Sequence, residues 1–258
     1  MKHLVVIGGT KGLGRAFIES LKGDYDSVAV LARSIPETVG KSGVHFISAD
    51  AANAKSLLTG LEQAFAQGGM FTAMALFQQF RGSTSAWDGK LATTLTASKL
   101  ALDFFAQHAE PTGDKAAVLL TSNASRLACE EQDEGYHAAK TGLLGLCRYY
   151  ANRLGAQGFR VNCVSPGTVI KEENKQYFLH DPELHELFQQ IIPLRRMGTA
   201  EEVASAIRFL LSPQASFITG QELVVDGGAS LQSQESLGRA LLGRQRAKSA
   251  PTTPNKSS

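Results

Sequence analysis

The chain has 258 residues, of which 43% are hydrophobic and 19% charged, with a net charge of +2. That length can bury a large core within one α/β domain, and the near-neutral balance excludes a chain-wide electrostatic footprint for nucleic acid. No apolar run approaches the ~18 residues of a membrane span, and Leu4-Val5-Val6-Ile7 is too short for a signal peptide, so neither membrane nor leader is expected. Cys129, Cys147 and Cys163 have neither metal-ligand spacing nor an even disulfide set, and read as reduced thiols of a cytoplasmic protein. The histidines are scattered, and no metal site is expected.

Residues 2–7 form an apolar run that meets Gly8-Gly9-Thr10-Lys11-Gly12-Leu13-Gly14. The pattern predicts a buried strand, a glycine turn and a helix over about 13–21. Glycine is needed where a backbone turns tightly and approaches a phosphate, and the N–H groups that open the helix attract a diphosphate. Gly8, Thr10, Lys11, Gly12, Leu13 and Gly14 are therefore candidate dinucleotide ligands. A second strand is predicted over 27–31. Where dinucleotide folds place an acid on the ribose hydroxyls, this chain has Ala32, followed by Arg33 and Ser34. A guanidinium binds a 2′-phosphate that a carboxylate would repel, and Lys11 adds a second cation. NADP(H) is expected over NAD(H), which is the other candidate.

Further strands are predicted over 44–47, 71–77, 116–121, 160–164 and 222–225, and helices over 54–66, 87–108, from Tyr136 to about Leu154, and over 201–211. This alternation means a parallel sheet with helices on both faces. Composition shifts near Ser230. Residues 231–258 carry Arg239, Arg244, Arg246, Lys248 and Lys256 against Glu235, a net of +4 that leaves the body near −2. This tail, which runs into Ser249-Ala250-Pro251-Thr252-Thr253-Pro254, is predicted to be disordered. A short helix over 236–242 is the competing expectation.

Tyr136 and Lys140 stand four residues apart on a predicted helix and share one face. A phenol titrates near ~10, and a neighbouring ammonium lowers that value. Such a pair serves as proton donor to a carbonyl or as base towards an alcohol.

With the glycine turn and this pair in place, residues 3–229 resemble the short-chain dehydrogenases/reductases. The resemblance also rests on Asp50, on Asn162-Cys163-Val164-Ser165-Pro166-Gly167, and on a C-terminal pattern. That pattern runs from Arg195-Arg196-Met197-Gly198 through Glu201-Glu202-Val203-Ala204 and Thr219-Gly220-Gln221 to Val225-Asp226-Gly227-Gly228. It implies a single doubly wound α/β domain of Rossmann type over 1–230, with a parallel sheet of about seven strands, followed by the tail. Tyr136 would donate or accept the proton. Lys140 would hold the nicotinamide ribose and lower the tyrosine pKa. Asp50 and Ala51 would border the adenine, and Pro166, Gly167 and Val169 would lie along the nicotinamide. The implied reaction is hydride transfer between NADP(H) and a carbonyl/alcohol carbon of a small molecule. A homodimer or homotetramer would form through the helices over 87–108 and 136–154.

Three departures stand out. The family's Asn-Asn-Ala-Gly is replaced by Phe77-Gln78-Gln79-Phe80-Arg81-Gly82 and a shortened connection to Trp87. Thr94 aligns with the asparagine of the family's proton relay. The serine position falls on Asn123, with Ser122 beside it, so either Ser122 or the Asn123 amide would polarise the substrate oxygen. The acidic loop Glu130-Glu131-Gln132-Asp133-Glu134 borders the entrance and would repel anionic substrates, or is simply a solvated loop. Residues 171–192, with Tyr177, Phe178, Leu184, Leu187 and Phe188, align with a substrate lid. Two readings stand: an oxidoreductase, and a dinucleotide-binding protein of this fold with little or no catalysis.

Overall fold

The computed structural model describes residues 1–35, 43–80 and 86–249. From the N-terminus come β1 (His3–Ile7), α1 (Gly12–Ser20), β2 (Ser27–Ala32), β3 (Val44–Ser48), α2 (Ala54–Gly68) and β4 (Ala73–Leu76). After α3 (Ala86–Leu91), a π-helical turn (Ala92–Thr96) and α4 (Ala97–His108) come β5 (Lys115–Leu120), α5 (Glu134–Leu154) and β6 (Phe159–Pro166). The chain ends with β7 (Val169–Ile170), α6 (Lys175–Leu179), α7 (Pro182–Ile191), β8 (Gly198–Thr199), α8 (Ala200–Leu211), β9 (Glu222–Val225) and α9 (Gln234–Ser249).

Among the described residues seven strands form one sheet in the order β3-β2-β1-β4-β5-β6-β9, each parallel to its neighbours. Alternate side chains of each strand serve opposite faces. On β1, Val5 and Ile7 join a core with Leu57, Leu61, Phe105 and Leu143 from α2, α4 and α5. Leu4 and Val6 join the other core, with Phe17, Val203, Ile207 and Leu210 from α1 and α8. Both faces are therefore buried, which explains why the strands read as apolar runs and not as alternating ones.

Strand order reverses between β1 and β4, and the C-terminal ends of these strands open a crevice, the usual ligand position in such sheets. Gly8 ends β1 at φ +84, and a Cβ there would lie 2.8 Å from the Gln78 backbone nitrogen. Only glycine lets the two strand exits run so close together.

Two expectations are corrected. The single helix expected over 87–108 contains a π-turn, in which the Ala97 N–H reaches back to the Ala92 carbonyl. The tail is helical from Gln234 to Ser249 and not disordered there. Ser233 Oγ accepts from the Ser236 N–H at 3.2 Å and Glu235 pairs with Arg239 at 2.5 Å within the helix, while Arg244 donates to the Gln190 carbonyl of α7 at 3.2 Å. Ala250-Pro251-Thr252-Thr253-Pro254 lie outside the described residues, as do Arg81 and Gly82.

Candidate active site

The glycine turn, the ends of β2 and β3 and the exit of β4 enclose a cavity of about 260 Å³. Gly8, Thr10, Lys11, Gly12, Leu13 and Gly14 form one wall. Arg33 and Ser34, just beyond β2, and Asp50 and Ala51, just beyond β3, form another. The Asp50 carboxylate accepts from the Ala52 N–H at 2.9 Å, which fixes this loop. A Cβ at Gly14 would come within 2.5 Å of the Gly8 carbonyl, so the turn and α1 pack too tightly for any side chain there. Lys11 caps α1 with no side-chain hydrogen bond, and no acid lies in the helix's first turn. The opening N–H groups therefore face the cavity wall with their partial positive charge.

Two further lining groups have no hydrogen-bond partner among the described residues: Gln78 Oε1 and Thr93 Oγ1, both buried. Gln78 spends its amide nitrogen on Ser98 Oγ at 2.8 Å. The cradle and these two unmatched polar atoms fit a phosphate-bearing ligand rich in hydroxyls.

Beside this cavity, the loop after β5 and the first turns of α5 bring the candidate catalytic residues together. Asp133 caps α5 by accepting from the Tyr136 N–H at 2.9 Å, and it pairs with Lys90. The first turn of α5 is thereby fixed, and Tyr136 with it. Ser122 follows β5 after Thr121, and its hydroxyl lies close enough to the Tyr136 phenol to favour the phenolate. One turn along α5, buried Lys140 donates to the carbonyl of Leu120, itself a cavity-lining residue, at 2.8 Å. The Lys140 ammonium lies 5.7 Å from the Tyr136 ring centre. Burial pulls the Lys140 pKa down to about 8, and the nearby Lys171 charge acts in the same direction.

Here the sequence expectation is corrected: Tyr136 has its pKa raised, not lowered. Burial disfavours the phenolate more than the Ser122 hydroxyl favours it. The Lys140 ammonium is directed at Leu120, so it gives the phenolate little direct support.

Of the two serine candidates, Ser122 meets Tyr136. Asn123 turns away, its amide 3.5 Å from Asp226 and its Oδ1 buried without a partner among the described residues. Pro166, Gly167 and Val169 are not cavity-lining. Pro166 ends β6 opposite Val225, Gly167 packs against Asp226, and buried Val169 pairs with Gly198. Behind them, Ser165 donates to Glu222 at 2.5 Å and Ser125 to the same carboxylate at 3.1 Å, which ties β6, β9 and the Ser122 loop together. Thr94 is buried within the π-turn. In the acidic loop, Asp133 serves as helix cap and ion-pair partner, while Glu130, Glu131 and Glu134 are exposed.

The lid residues form α6 and α7. Phe178 packs edge-on against Phe188 at 5.6 Å, while Tyr177 is 67% exposed. The turn before α6 brings in a feature that the sequence pattern does not single out: Glu173 accepts from the Gly12 N–H at 2.6 Å, across 161 residues of chain. Gln78 and Thr93 are also missed by motif reading. Their only signal is the departure from Asn-Asn-Ala-Gly and the threonine pair at the relay position.

A family model described as Enoyl-(Acyl carrier protein) reductase matches residues 22–230. Isoepoxydon dehydrogenase patN of Penicillium expansum is 27% identical over 251 residues, covering 90% of this chain and 96% of that protein. Glucose 1-dehydrogenase of Gluconobacter oxydans is 30% identical over 145 residues, covering 56% of this chain and 54% of that protein. The chain thus spans about half the length of that relative and of several other curated ones. A short-chain dehydrogenase/reductase from Serratia marcescens has a TM-score of 0.78 at 26% identity, covering 89% of this chain and 98% of that one. The family model covers most of the chain, and the sheet order and the Tyr136/Lys140 helix agree with it: the chain belongs to the short-chain dehydrogenase/reductase family.

Proposed function

We propose that this protein is an NADP(H)-dependent oxidoreductase that interconverts a carbonyl and an alcohol carbon of a small molecule. The observation that carries this reading is the Ser122–Tyr136–Lys140 constellation, built on a capped helix beside a glycine-lined cavity. The bound nicotinamide would supply or accept the hydride. Gly8, Gly12 and Gly14 would hold its diphosphate, Asp50 and Ala51 the adenine side, and Pro166, Gly167 and Val169 the nicotinamide side. Ser122 and Tyr136 would direct two hydroxyls at the substrate oxygen. Burial disfavours the phenolate, so Tyr136 would act from its protonated form, as the acid that gives its proton to the carbonyl oxygen during reduction. Lys140, charged below about pH 8, would hold the ribose.

Cys129, Cys147 and Cys163 are all free thiols, which suits a reducing cytoplasm. No helix among the described residues is long and apolar enough to cross a membrane. A homodimer or homotetramer would use the outer faces of α4 and α5, where Tyr149 is 54% exposed. The second reading is dinucleotide binding with little catalysis, and it draws on buried Thr94 at the relay position.

The test is turnover of a panel of aldehydes, ketones and diketones by wild type and Tyr136→Phe. The substitution removes one oxygen and keeps the ring. Cofactor affinity should stay within about twofold, while kcat falls by about 10²–10⁴. A Tyr136→Phe enzyme that turns over at the wild-type rate would overturn the mechanism. Tight cofactor binding with no turnover across the panel would favour the second reading.

A further inference from the structure

The Glu173 contact sits at the centre of the proposed cofactor cradle. The turn that carries it is braced at both ends: Asn174 Oδ1 accepts from the Lys171 N–H at 2.6 Å, and Asn174 Nδ2 donates to the Val169 carbonyl at 3.0 Å. The Asn174 N–H closes the turn on the Lys171 carbonyl at 3.1 Å. A turn fixed in this way points Glu173 across the cleft. There its carboxylate takes the Gly12 N–H at 2.6 Å, the first residue of α1. Lys171, Glu173 and Asn174 all line the same cavity as the glycines. That cavity independently carries the marks of a ligand site, in the buried, unpartnered Gln78 Oε1 and Thr93 Oγ1.

We propose that Glu173 is a built-in latch: its carboxylate takes the anion position at the head of α1 and must leave when a dinucleotide diphosphate binds. The proposal rests on the dinucleotide reading and adds a regulatory element to it. Two negative groups cannot share one backbone N–H and one helix dipole end, so binding is a displacement. Because the Asn174 bonds brace the turn two residues before α6, the carboxylate leaves by rotation of the Glu173 side chain while the turn holds. The latch lowers cofactor affinity and speeds product-cofactor release.

Calorimetric titration of NADPH, and separately of inorganic pyrophosphate, into three full-length proteins tests this. The proteins are wild type, Glu173→Ala and Glu172→Ala. Glu172 sits in the same turn and is exposed, so its removal changes the charge of the turn by the same amount but leaves the Gly12 contact intact. Glu173→Ala should bind NADPH and pyrophosphate about tenfold more tightly, the usual size of a charge-assisted contact. Glu172→Ala should stay within about twofold of wild type. Thermal melts confirm that each variant is folded. Unchanged or weaker NADPH binding by folded Glu173→Ala overturns the latch while leaving the dinucleotide reading intact. An equal gain in Glu172→Ala overturns it as well, because general charge would then be the cause. NADPH binding by neither wild type nor Glu173→Ala removes the dinucleotide reading and the latch with it.

Discussion

Lys140 is buried to 4% exposure, and its ammonium donates to a backbone carbonyl, that of Leu120. Burial without a carboxylate partner is why its pKa falls from 10.5 to about 8. Because the folded value lies below the unfolded one, the folded chain holds this proton less tightly. The resulting cost to stability is complete below about pH 8 and is relieved as pH rises towards 10.5. The ribose contact proposed for Lys140 would run in the opposite sense, since the ammonium is the donating form: it would be present below about pH 8 and lost above it. The apparent kcat/KM for cofactor, which reports the free enzyme, should therefore decline by about tenfold between pH 8 and pH 9.5. Lys140→Met should bind cofactor weakly with no such decline. The same alkaline limb in Lys140→Met would show that another group titrates. The identity and spacing of Tyr136 and Lys140 are legible in the chain because one helical turn brings them together. The direction of their pKa shifts is not, because it depends on how deeply the finished fold buries each group.

The inner strands are readable from the sequence because each is a short apolar run between turn residues, buried on both faces as Leu4, Val5, Val6 and Ile7 illustrate, while the edge strands β3 and β9 are partly exposed. The π-turn at Ala92–Thr96 is not readable. It inserts no motif, and its extra residue is stabilised only by the packing that buries Thr93 and Thr94. The helix α9 is missed for another reason: a composition argument weighs apolar burial, whereas this helix stands on a serine cap and an i,i+4 ion pair. The two-residue strands β7 and β8 also escape pattern reading, since two residues carry no period. Among the described side chains, α9 is almost wholly exposed, with Leu231 just before it 84% exposed. A chain ending at Ser230 should therefore melt within about 2 °C of the full-length protein and bind cofactor equally well. A fall of more than about 5 °C would show that the Arg244–Gln190 contact, or a neighbouring subunit, makes the tail structural.

Across the whole molecule, the glycine-turn cavity and the Tyr136 face of α5 lie at the C-terminal ends of neighbouring strands, and the proposed function joins them into one ligand site. On the proposed reading, a dinucleotide would have its adenosine end at Arg33 and its reacting end at Tyr136. Selection between NADP(H) and NAD(H) would then fall to the loop after β2 and not to the α5 residues. Arg33 and Ser34 line the cavity where β2 stops at Ala32, and Lys11 faces them from the glycine turn. Among the described residues no carboxylate stands at the end of β2 to repel a 2′-phosphate, and Arg33 and Lys11 lie within the lining to receive it. Both side chains reach the site from solvent, so the preference should weaken with added salt as their charges are screened. In low-salt buffer, NADPH should bind about tenfold to a hundredfold more tightly than NADH. Arg33→Ala should remove most of that difference by weakening NADPH while leaving NADH within about twofold. Because the substitution lies far from Tyr136, saturating NADPH should restore most of kcat, and the loss should appear in the cofactor KM. Equal affinities in wild type would refute the preference, and an equal loss for both cofactors in Arg33→Ala would place Arg33 on the adenine or ribose in place of a 2′-phosphate.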